Sequence, residues 1–341
     1  MSNIVGQGPH CVRSRAPAAN NWYNATLKLT DRDPVMPDTQ SDAIQHLQTV
    51  RDWLRFAVSR FSVGEVYCGH GTDNLWDEAV QLVMQTLHLP MMDNTQYLDA
   101  RLTNAERETL FERIEKRVSD RIPVPYLTGE AWFMGLPFEV DERVLIPRSP
   151  MGEFLLEEGG PWLNGRPVER ILDLCSGSGC IGIAAACQFP EARVDLADIS
   201  PGAREIAERN IQRYGLSDRV NAIESDLFEA LEGPYDLILA NPPYVDAEDM
   251  ADLPPEYQHE PALGLAAGPD GLELMARIVR QAHRYLAPDG VLVGEVGNSQ
   301  PALEAAFPGL PFTWLAFENG GHGVFVLDAE ALQGLDETET G

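Results

Sequence analysis

Three stretches in the N-terminal third of the chain place apolar side chains at the three- and four-residue spacing of amphipathic helices: 41–61, 75–89 and 103–120. Ser41 or Asp42 is available to cap the first of them, because short polar side chains accept hydrogen bonds from the free N–H groups of a first helical turn. The pattern predicts a small helical domain over residues 41–120.

The segments that flank this region differ from it in composition. Residues 121–150 are rich in proline, glycine and aromatic residues, and apolar and polar positions alternate from 131 to 146, which predicts a linker followed by a β-hairpin. Residues 1–40 carry many Asn, Pro, Arg and Ser residues without a period, which is typical of a disordered extension. Residues 331–341 are expected to form a flexible tail.

Short aliphatic stretches alternate with helical patterns over residues 151–330. The predicted strands are 170–175, 192–198, 219–225, 235–240 and 290–296, and stretches 312–317 and 323–328 are expected to pair antiparallel. The predicted helices are 179–188, 201–215 with Ser200 as its N-cap, and a long helix over 271–286. Repeated β-α units with aliphatic strands predict an α/β fold in which a doubly wound sheet is covered on both faces.

The composition suits two domains with packed cores, since 44% of the 341 residues are hydrophobic. No run of about 18 apolar residues occurs and the N-terminal residues lack a long apolar stretch, so we expect neither a membrane span nor a signal peptide. The five cysteines show no CxxC pairing, which predicts reduced thiols in a cytoplasmic protein and no metal site.

The charge balance is strongly acidic, with 25 Lys and Arg residues against 53 Asp and Glu residues and a net charge of −28. A surface of this sign repels nucleic acid and anionic membranes and attracts basic proteins. We therefore expect no DNA or membrane partner. The same balance also fits a need for solubility or adaptation to a salty environment.

A glycine-rich loop follows the first predicted strand. Gly177, Gly179 and Gly182 match the spacing GxGxxG, and Asp198 ends the next predicted strand. This is the fingerprint of dinucleotide-binding sites, in which glycines let the backbone approach a ligand and the acid accepts hydrogen bonds from a ribose. A tight turn without a ligand is the alternative interpretation.

Two further acids favour S-adenosyl-L-methionine over a nicotinamide dinucleotide. Asp173, four residues before Gly177, can receive the ammonium of a methionine moiety, directly or through water, whereas it would repel a pyrophosphate. Asp226, at the end of the third strand, can accept a hydrogen bond from the adenine amino group. Ligands bind at the carboxyl ends of strands in open α/β sheets, where these acids are predicted to lie.

The tetrapeptide Asn241-Pro242-Pro243-Tyr244 follows the aliphatic strand 235–240. An amide or exocyclic amine nitrogen is a poor nucleophile because its lone pair is delocalised. The Asn241 side-chain oxygen and the Pro242 carbonyl can accept its two N–H groups and favour a pyramidal nitrogen, while Tyr244 offers a flat face for stacking. The motif therefore predicts methylation of a planar nitrogen, in which orientation contributes up to about 7–11 kcal/mol and no strong base is needed. A plain strand-ending turn is the alternative.

In combination, the pattern DxxxGxG at 173–179 and NPPY at 241–244 resembles class I S-adenosylmethionine-dependent methyltransferases that act on planar nitrogens. This resemblance implies a Rossmann-like, seven-stranded sheet. NPPY is shared by DNA adenine-N(6) and protein glutamine-N(5) methyltransferases, and residues 123–148 look like the hairpin segment of the latter. The chain is thereby identified as a member of the protein glutamine-N(5) methyltransferases.

Within that family, residues 69–83, 146–150 and 317–327 are similar to the branch that modifies large-subunit ribosomal protein three. The branch that modifies peptide release factors typically reads Pro-Arg-Pro-Asp-Thr-Glu where this chain has PRSPMG, at 147–152. The resemblance implies a basic ribosomal protein as partner, and the acidity suggests action on an assembly intermediate, because ribosomal RNA would repel the enzyme.

The resemblance also implies a role for each site residue. Residues Cys175, Ser176, Gly177, Ser178 and Gly179 would wrap the methionine part, Asp198 would take the ribose, and Asp226 with Leu227 would border the adenine. Asn241 would contact both the cofactor and the target glutamine, in a pocket completed by Pro242, Pro243 and Tyr244. Arg148 would face the active site or form a structural salt bridge, and the helical domain would select the substrate.

Four alternatives remain open from the sequence. Release-factor methylation would use the same chemistry on another protein. DNA adenine methylation would need a basic face for base flipping, whereas Lys28 and Lys116 are the only lysines. A nicotinamide oxidoreductase and a ribosome assembly factor that binds S-adenosylmethionine without catalysis complete the set.

Overall fold

The computed structural model describes residues 39–91, 94–163, 165–246, 250, 252–265, 267–268, 271–318 and 320–339. The N-terminal part contains the helices α1 (Thr39–His46), α2 (Val50–Val63), α3 (Leu75–Thr86), α4 (Asn104–Ser119) and α5 (Val124–Thr128). Trp53, Leu54, Phe61 and Leu82 are fully buried in their common core. The disordered extension was predicted over residues 1–40: residues 1–38 lie outside the described residues, whereas Thr39 and Gln40 already belong to α1.

Helix boundaries in this part follow from capping side chains. The stretch 41–61, predicted as one helix, is interrupted between α1 and α2, because Thr49 adopts an extended backbone and caps α2. Thr49 and Asp52 form a capping box, as do Thr103 and Glu106 at α4, which satisfies free N–H groups of each first turn. Helix α5 lies within the segment that was expected to be a linker.

The predicted hairpin is formed by β1 (Glu130–Phe133) and β2 (Leu136–Glu139), which pair antiparallel. Its turn residues Met134 and Gly135 both have positive φ, the backbone twist that matches two-residue hairpins. The strands end at Glu139, so the alternation up to 146 is not strand. Residues 140–146 instead bury Val144 and Ile146 in irregular backbone, followed by α6 (Met151–Leu156) and α7 (Gly160–Leu163).

A seven-stranded sheet forms the second part and confirms the predicted α/β, Rossmann-like fold. Its strands are β3 (Arg170–Leu174), β4 (Arg193–Asp198), β5 (Val220–Glu224), β6 (Tyr235–Ala240), β7 (Leu286–Glu295), β8 (Thr313–Trp314) and β9 (Val324–Asp328). The order is β5-β4-β3-β6-β7-β9-β8, and only β9 runs antiparallel to its neighbours among the described residues. The strand order reverses beside β3, where ligands bind in such folds.

Helices cover both faces of this sheet, namely α8 (Cys180–Gln188), α9 (Pro201–Arg213), α10 (Glu273–Gln281), α11 (Gln300–Ala306) and α12 (Ala329–Glu339). Along β6, Leu237 and Leu239 enter one core while Ile238 and Ala240 enter the other. Burial on both faces explains the uninterrupted aliphatic sequence of the strands. Within the described residues, no helix has the length and apolar character needed to cross a membrane.

Two predictions for this part were wrong in extent. The long helix predicted over 271–286 ends at Gln281, because the chain enters the sheet at Leu286, which pairs with Tyr235 of β6. The predicted flexible tail 331–341 is helical as far as Glu339, since Leu332 packs in the core beneath β7. Residues 340–341 lie outside the described residues.

Candidate active site

The loop after β3 uses left-handed backbone at three positions. Cys175 has φ = +56°, Gly177 +54° and Gly179 +77°, a region that side chains disfavour. A Cβ on Gly179 would lie 2.8 Å from the Leu196 side chain, whereas a Cβ on Gly177 would meet nothing within 4 Å. Gly179 therefore permits close packing, and Gly177 leaves open space for a ligand. A glycine would adopt the φ of Cys175 at a lower cost than cysteine does.

Asp173 is buried behind this loop, with a relative exposure of 1%. Its Oδ2 accepts a hydrogen bond from Gly182 N at 2.8 Å, and its Oδ1 is buried without a partner among the described residues. Burial raises the pKa of Asp173 to about 7, and the Asp198 charge adds to this, although the Gly182 N–H lowers it. An orphaned buried carboxylate oxygen fits a cationic ligand group such as the ammonium of S-adenosylmethionine, reached directly or through water.

Asp198 ends β4 beside this loop. Its Oδ2 accepts from Gly177 N at 2.8 Å and its Oδ1 from Ser200 N at 2.9 Å. Burial raises the pKa of Asp198, and the two N–H groups oppose that rise. The carboxylate is therefore fixed at the start of α9, where it can accept hydrogen bonds from ligand hydroxyls.

Asp226 follows β5 and has a partner that the sequence did not reveal. Its Oδ1 lies 2.9 Å from Arg277 Nη2, on helix α10. This ion pair holds the Asp226 carboxylate at the edge of the site. The adjacent Leu227 is buried with φ = +49°, so both predicted adenine contacts lie at the end of β5.

A cavity of about 200 Å³ brings these groups together. The predicted cofactor residues on its walls are Cys175, Gly177, Asp198, Asp226, Leu227 and Asn241. Four others are buried beneath the loop rather than on the walls: Asp173, Ser176, Ser178 and Gly179. The carboxylates of Asp198 and Asp226 on these walls, the apolar side chains beside them and the buried Asp173 beneath the loop fit S-adenosylmethionine, which carries an ammonium, ribose hydroxyls and an adenine.

A second cavity of about 400 Å³ adjoins the first and is lined by Arg148, Asn241, Pro242, Tyr244 and Tyr257. Asn241 and Pro243 belong to the walls of both cavities. The sheet register explains this position, because Ala240 of β6 pairs with Leu174 of β3, so Asn241 and the glycine loop leave neighbouring strand ends. The NPPY motif thus lies where a cofactor and an acceptor can meet.

Glu295 holds Tyr244 in place, and sequence reasoning missed it. The Tyr244 hydroxyl donates to Glu295 Oε1 at 3.0 Å, and Ser149 Oγ donates to Glu295 Oε2 at 2.6 Å. Burial raises the pKa of both Glu295 and Tyr244. An acid inside the aliphatic stretch 290–296 was the available signal, since buried acids in strands require partners.

Arg148 both faces a cavity of the site and forms an ion pair, the two roles that the sequence left open. It lines the acceptor cavity, and its Nη2 lies 2.8 Å from Glu260 Oε1 in a buried ion pair. His70 Nε2 donates to the same carboxylate at 2.9 Å, and Ile146 N donates at 3.0 Å. Burial acts to raise the pKa of Glu260, but the hydrogen bond from His70 and the charge of Arg148 outweigh it and lower that pKa.

Affinity for S-adenosylmethionine is expected to fall as the pH drops below about 7, because Asp173 then binds a proton in the free protein. A cationic ligand group favours the ionised carboxylate, so binding must release that proton. Calorimetry should show the Kd rising by up to about tenfold per pH unit below this pKa, and Asp173→Asn should flatten the profile. A constant wild-type Kd across the range would contradict a role for the Asp173 charge.

Part of the chain is similar to known methyltransferases. A family model described as "Methyltransferase small domain" matches residues 158–253. Among solved structures, the hMettl16 catalytic domain in complex with an RNA hairpin is 17% identical, with a TM-score of 0.46, and covers 65% of this chain and 80% of that one.

Curated relatives match most of the chain. Proteins of Francisella tularensis, Neisseria gonorrhoeae and Bordetella pertussis, each named ribosomal protein uL3 glutamine methyltransferase, are 46%, 49% and 49% identical over 295 residues. The matches cover 86% of this chain and 94%, 99% and 99% of the relatives. Their names favour the ribosomal-protein branch over the release-factor, DNA and nicotinamide alternatives. At this identity and coverage, the chain belongs to the ribosomal protein uL3 glutamine methyltransferases.

Proposed function

We propose that this chain transfers a methyl group to the side-chain amide nitrogen of a glutamine in ribosomal protein uL3. The observation that carries the proposal is the junction at Asn241, which lines both the loop cavity and the adjoining acceptor cavity. Arg148 and Tyr257 also line the acceptor cavity. An uncharged amide fits such a site, because it needs acceptors for its N–H groups rather than a countercharge.

S-adenosyl-L-methionine is the methyl donor of this enzyme, and when bound it supplies an electrophilic methyl group on a sulfonium. The Asn241 side-chain oxygen and the Pro242 carbonyl accept the two N–H groups of the glutamine and orient the nitrogen lone pair. Pro242 and Pro243 are buried and fix this backbone, since proline restricts φ. Tyr244, held by Glu295, limits the tilt of the amide plane.

Proton removal requires no strong base in this arrangement. The nitrogen would form its bond to the methyl carbon as the carbon–sulfur bond breaks, which leaves a neutral thioether, and the cationic product nitrogen would then release its proton to water. Burial raises the pKa of the Tyr244 hydroxyl, so it stays protonated and acts as a donor to Glu295. Catalysis then rests on orientation and on preorganised acceptors.

The net charge of −28 supports an encounter with a basic partner in the cytoplasm. Ribosomal RNA would repel the same surface, which favours modification of uL3 before or during assembly of the large subunit. The helical domain, residues 41–120, and the hairpin would select the substrate, and residues 151–330 would perform the transfer. Equal labelling of mature and precursor large subunits would contradict this order.

Asp198→Ala is expected to weaken binding of S-adenosylmethionine by roughly 10- to 150-fold, since hydrogen bonds to a charged group contribute about 1.5–3 kcal/mol. Loss of the carboxylate also frees the N–H groups of Gly177 and Ser200. Calorimetry measures the effect, and Asp218→Ala, which removes an exposed acid, is the control. An unchanged Kd would remove Asp198 from the cofactor site.

The reaction itself is tested by mass spectrometry of uL3 purified from cells that lack the corresponding methylase. Incubation with the enzyme and S-adenosylmethionine should add one methyl group to a glutamine side chain. Replacement of that glutamine by asparagine should abolish the product. A methyl group on a lysine or carboxylate side chain would overturn the proposal.

A further inference from the structure

A third cavity, of about 510 Å³, lies apart from the cofactor and acceptor cavities, between the helical domain and the hairpin. Its walls include His70 and Trp76 from the helical domain, Trp132 from β1, and Ile146 and Pro147 from the segment after the hairpin. We call it the hairpin cleft. No step of the proposed reaction uses it.

Two tryptophans on the walls of the hairpin cleft are unusually exposed. Trp76 has a relative exposure of 52% and Trp132 of 39%, whereas Trp53 in the helical core is fully buried. Exposed indole rings on facing elements are characteristic of protein-binding surfaces, where large rigid side chains contribute much of the affinity. Asp77, at the start of α3, adds a carboxylate to the same walls.

His70 supplies an independent indication of a ligand. It is 1% exposed and lines the hairpin cleft, and its Nδ1 is buried without a partner among the described residues. Its Nε2 is paired with the Glu260 carboxylate at 2.9 Å, so Nδ1 is the ring atom left for a ligand. The buried Nδ1 therefore calls for a polar group in the cleft.

The hairpin cleft and the acceptor cavity are separate but have neighbouring walls. Ile146 and Pro147 line the cleft, and the next residue, Arg148, lines the acceptor cavity. The Tyr257 ring lies between the two, with its centroid 4.4 Å from that of His70 and 5.3 Å from the Arg148 guanidinium carbon. A chain bound in the hairpin cleft could therefore present a neighbouring glutamine to Asn241.

Resting on the function proposed above, we infer that the hairpin cleft binds an extended, basic segment of uL3 adjacent to the methylated glutamine. The observations that select this occupant are the carboxylate of Asp77 and the tryptophan faces, which attract Lys and Arg side chains, together with the unpartnered His70 Nδ1, which calls for a polar group. The net charge of −28 also favours the binding of a basic segment. Trp76 and Trp132 are thus specificity determinants, and not catalytic residues.

The test compares Trp132→Ala with Leu156→Ala, which removes another exposed apolar side chain outside the three cavities. With whole unmethylated uL3, Trp132→Ala should raise KM by about 10- to 30-fold while kcat and the Kd of S-adenosylmethionine stay within about twofold. With a short peptide that carries only the glutamine and its nearest neighbours, the wild type and Trp132→Ala should be equal. Leu156→Ala should match the wild type with both substrates.

Salt dependence provides a second readout. The wild-type KM for uL3 should rise with ionic strength, and Asp77→Asn should reduce that slope, because screening acts on the charge pair that the variant removes. An unchanged KM in Trp132→Ala, or an equal loss with uL3 and the short peptide, would overturn the cleft assignment and leave the proposed function standing. Failure of the wild-type enzyme to methylate uL3 would overturn both.

Discussion

Asn241→Ala is expected to lower the turnover of uL3 by about 10²–10³ while the Kd of S-adenosylmethionine changes little. The loss matches the removal of one preorganised polar contact that acts on the reacting group. Asn241 is half-buried at the junction of the two cavities, and the substitution leaves in place Asp198 and Asp226, the residues proposed to bind the ribose and the adenine. Single-turnover kinetics with saturating cofactor measures the effect on the chemical step.

Two variants separate this role from a structural one. Asn241→Asp keeps an acceptor oxygen and should retain more activity than Asn241→Ala. Asn221→Ala removes an exposed asparagine on β5 and should behave as the wild type. Near-wild-type turnover in Asn241→Ala would exclude Asn241 from the mechanism.

Glu260→Ala is expected to lower the free energy of unfolding by about 3–5 kcal/mol, because it leaves Arg148 and His70 without their shared buried partner. The same change frees the Arg148 side chain in the acceptor cavity, so activity should fall as well. Glu115→Ala is the matched control. It removes the partner of Arg60 from an ion pair that is also 2.8 Å long but partly exposed. The free energy of unfolding should therefore fall by at most about 1 kcal/mol. Similar losses in both variants would contradict the buried network.

The pH dependence of this effect has a defined sign. Since the pKa of Glu260 is lowered in the folded protein, its stabilisation is present above the ordinary value of 4.5 and is lost as the pH falls through the folded pKa. Glu260→Gln should therefore have a lower free energy of unfolding than the wild type at neutral pH. The difference between the two should shrink as the pH falls through the folded pKa of Glu260. A difference that grew in acid would contradict the charge assignment of Glu260.

Short-range patterns were sufficient to predict the parts of the site that lie on one strand and the loop after it. Asp198 ends one aliphatic strand, Asn241 follows another, and Asp173 and Gly177 lie in and just after a third. The strand ends then meet because parallel neighbours share an edge. The roles of these residues stay proposals until the variants are measured.

The supporting residues could not be predicted in the same way, because their partners are distant in sequence. Glu260 contacts His70 across 190 positions, and Glu295 contacts Ser149 across 146. Neither acid belongs to a local motif, and each pair forms only because segments far apart in the sequence pack together in the folded chain. The end of α10 was misjudged for a related reason, since the pairing of Leu286 with Tyr235, and not the local period, decides where the helix stops.

The proposed reaction and substrate are tested most directly by a competition between two protein substrates in one reaction. Unmethylated uL3 and unmethylated release factors, at equal concentration, are incubated with the enzyme and labelled S-adenosylmethionine, and the products are separated and sequenced by mass spectrometry. The account predicts label on one glutamine of uL3, with release factors labelled little or not at all. Preferential labelling of a release factor would contradict it, as would the absence of label on either protein by an enzyme that still binds the cofactor.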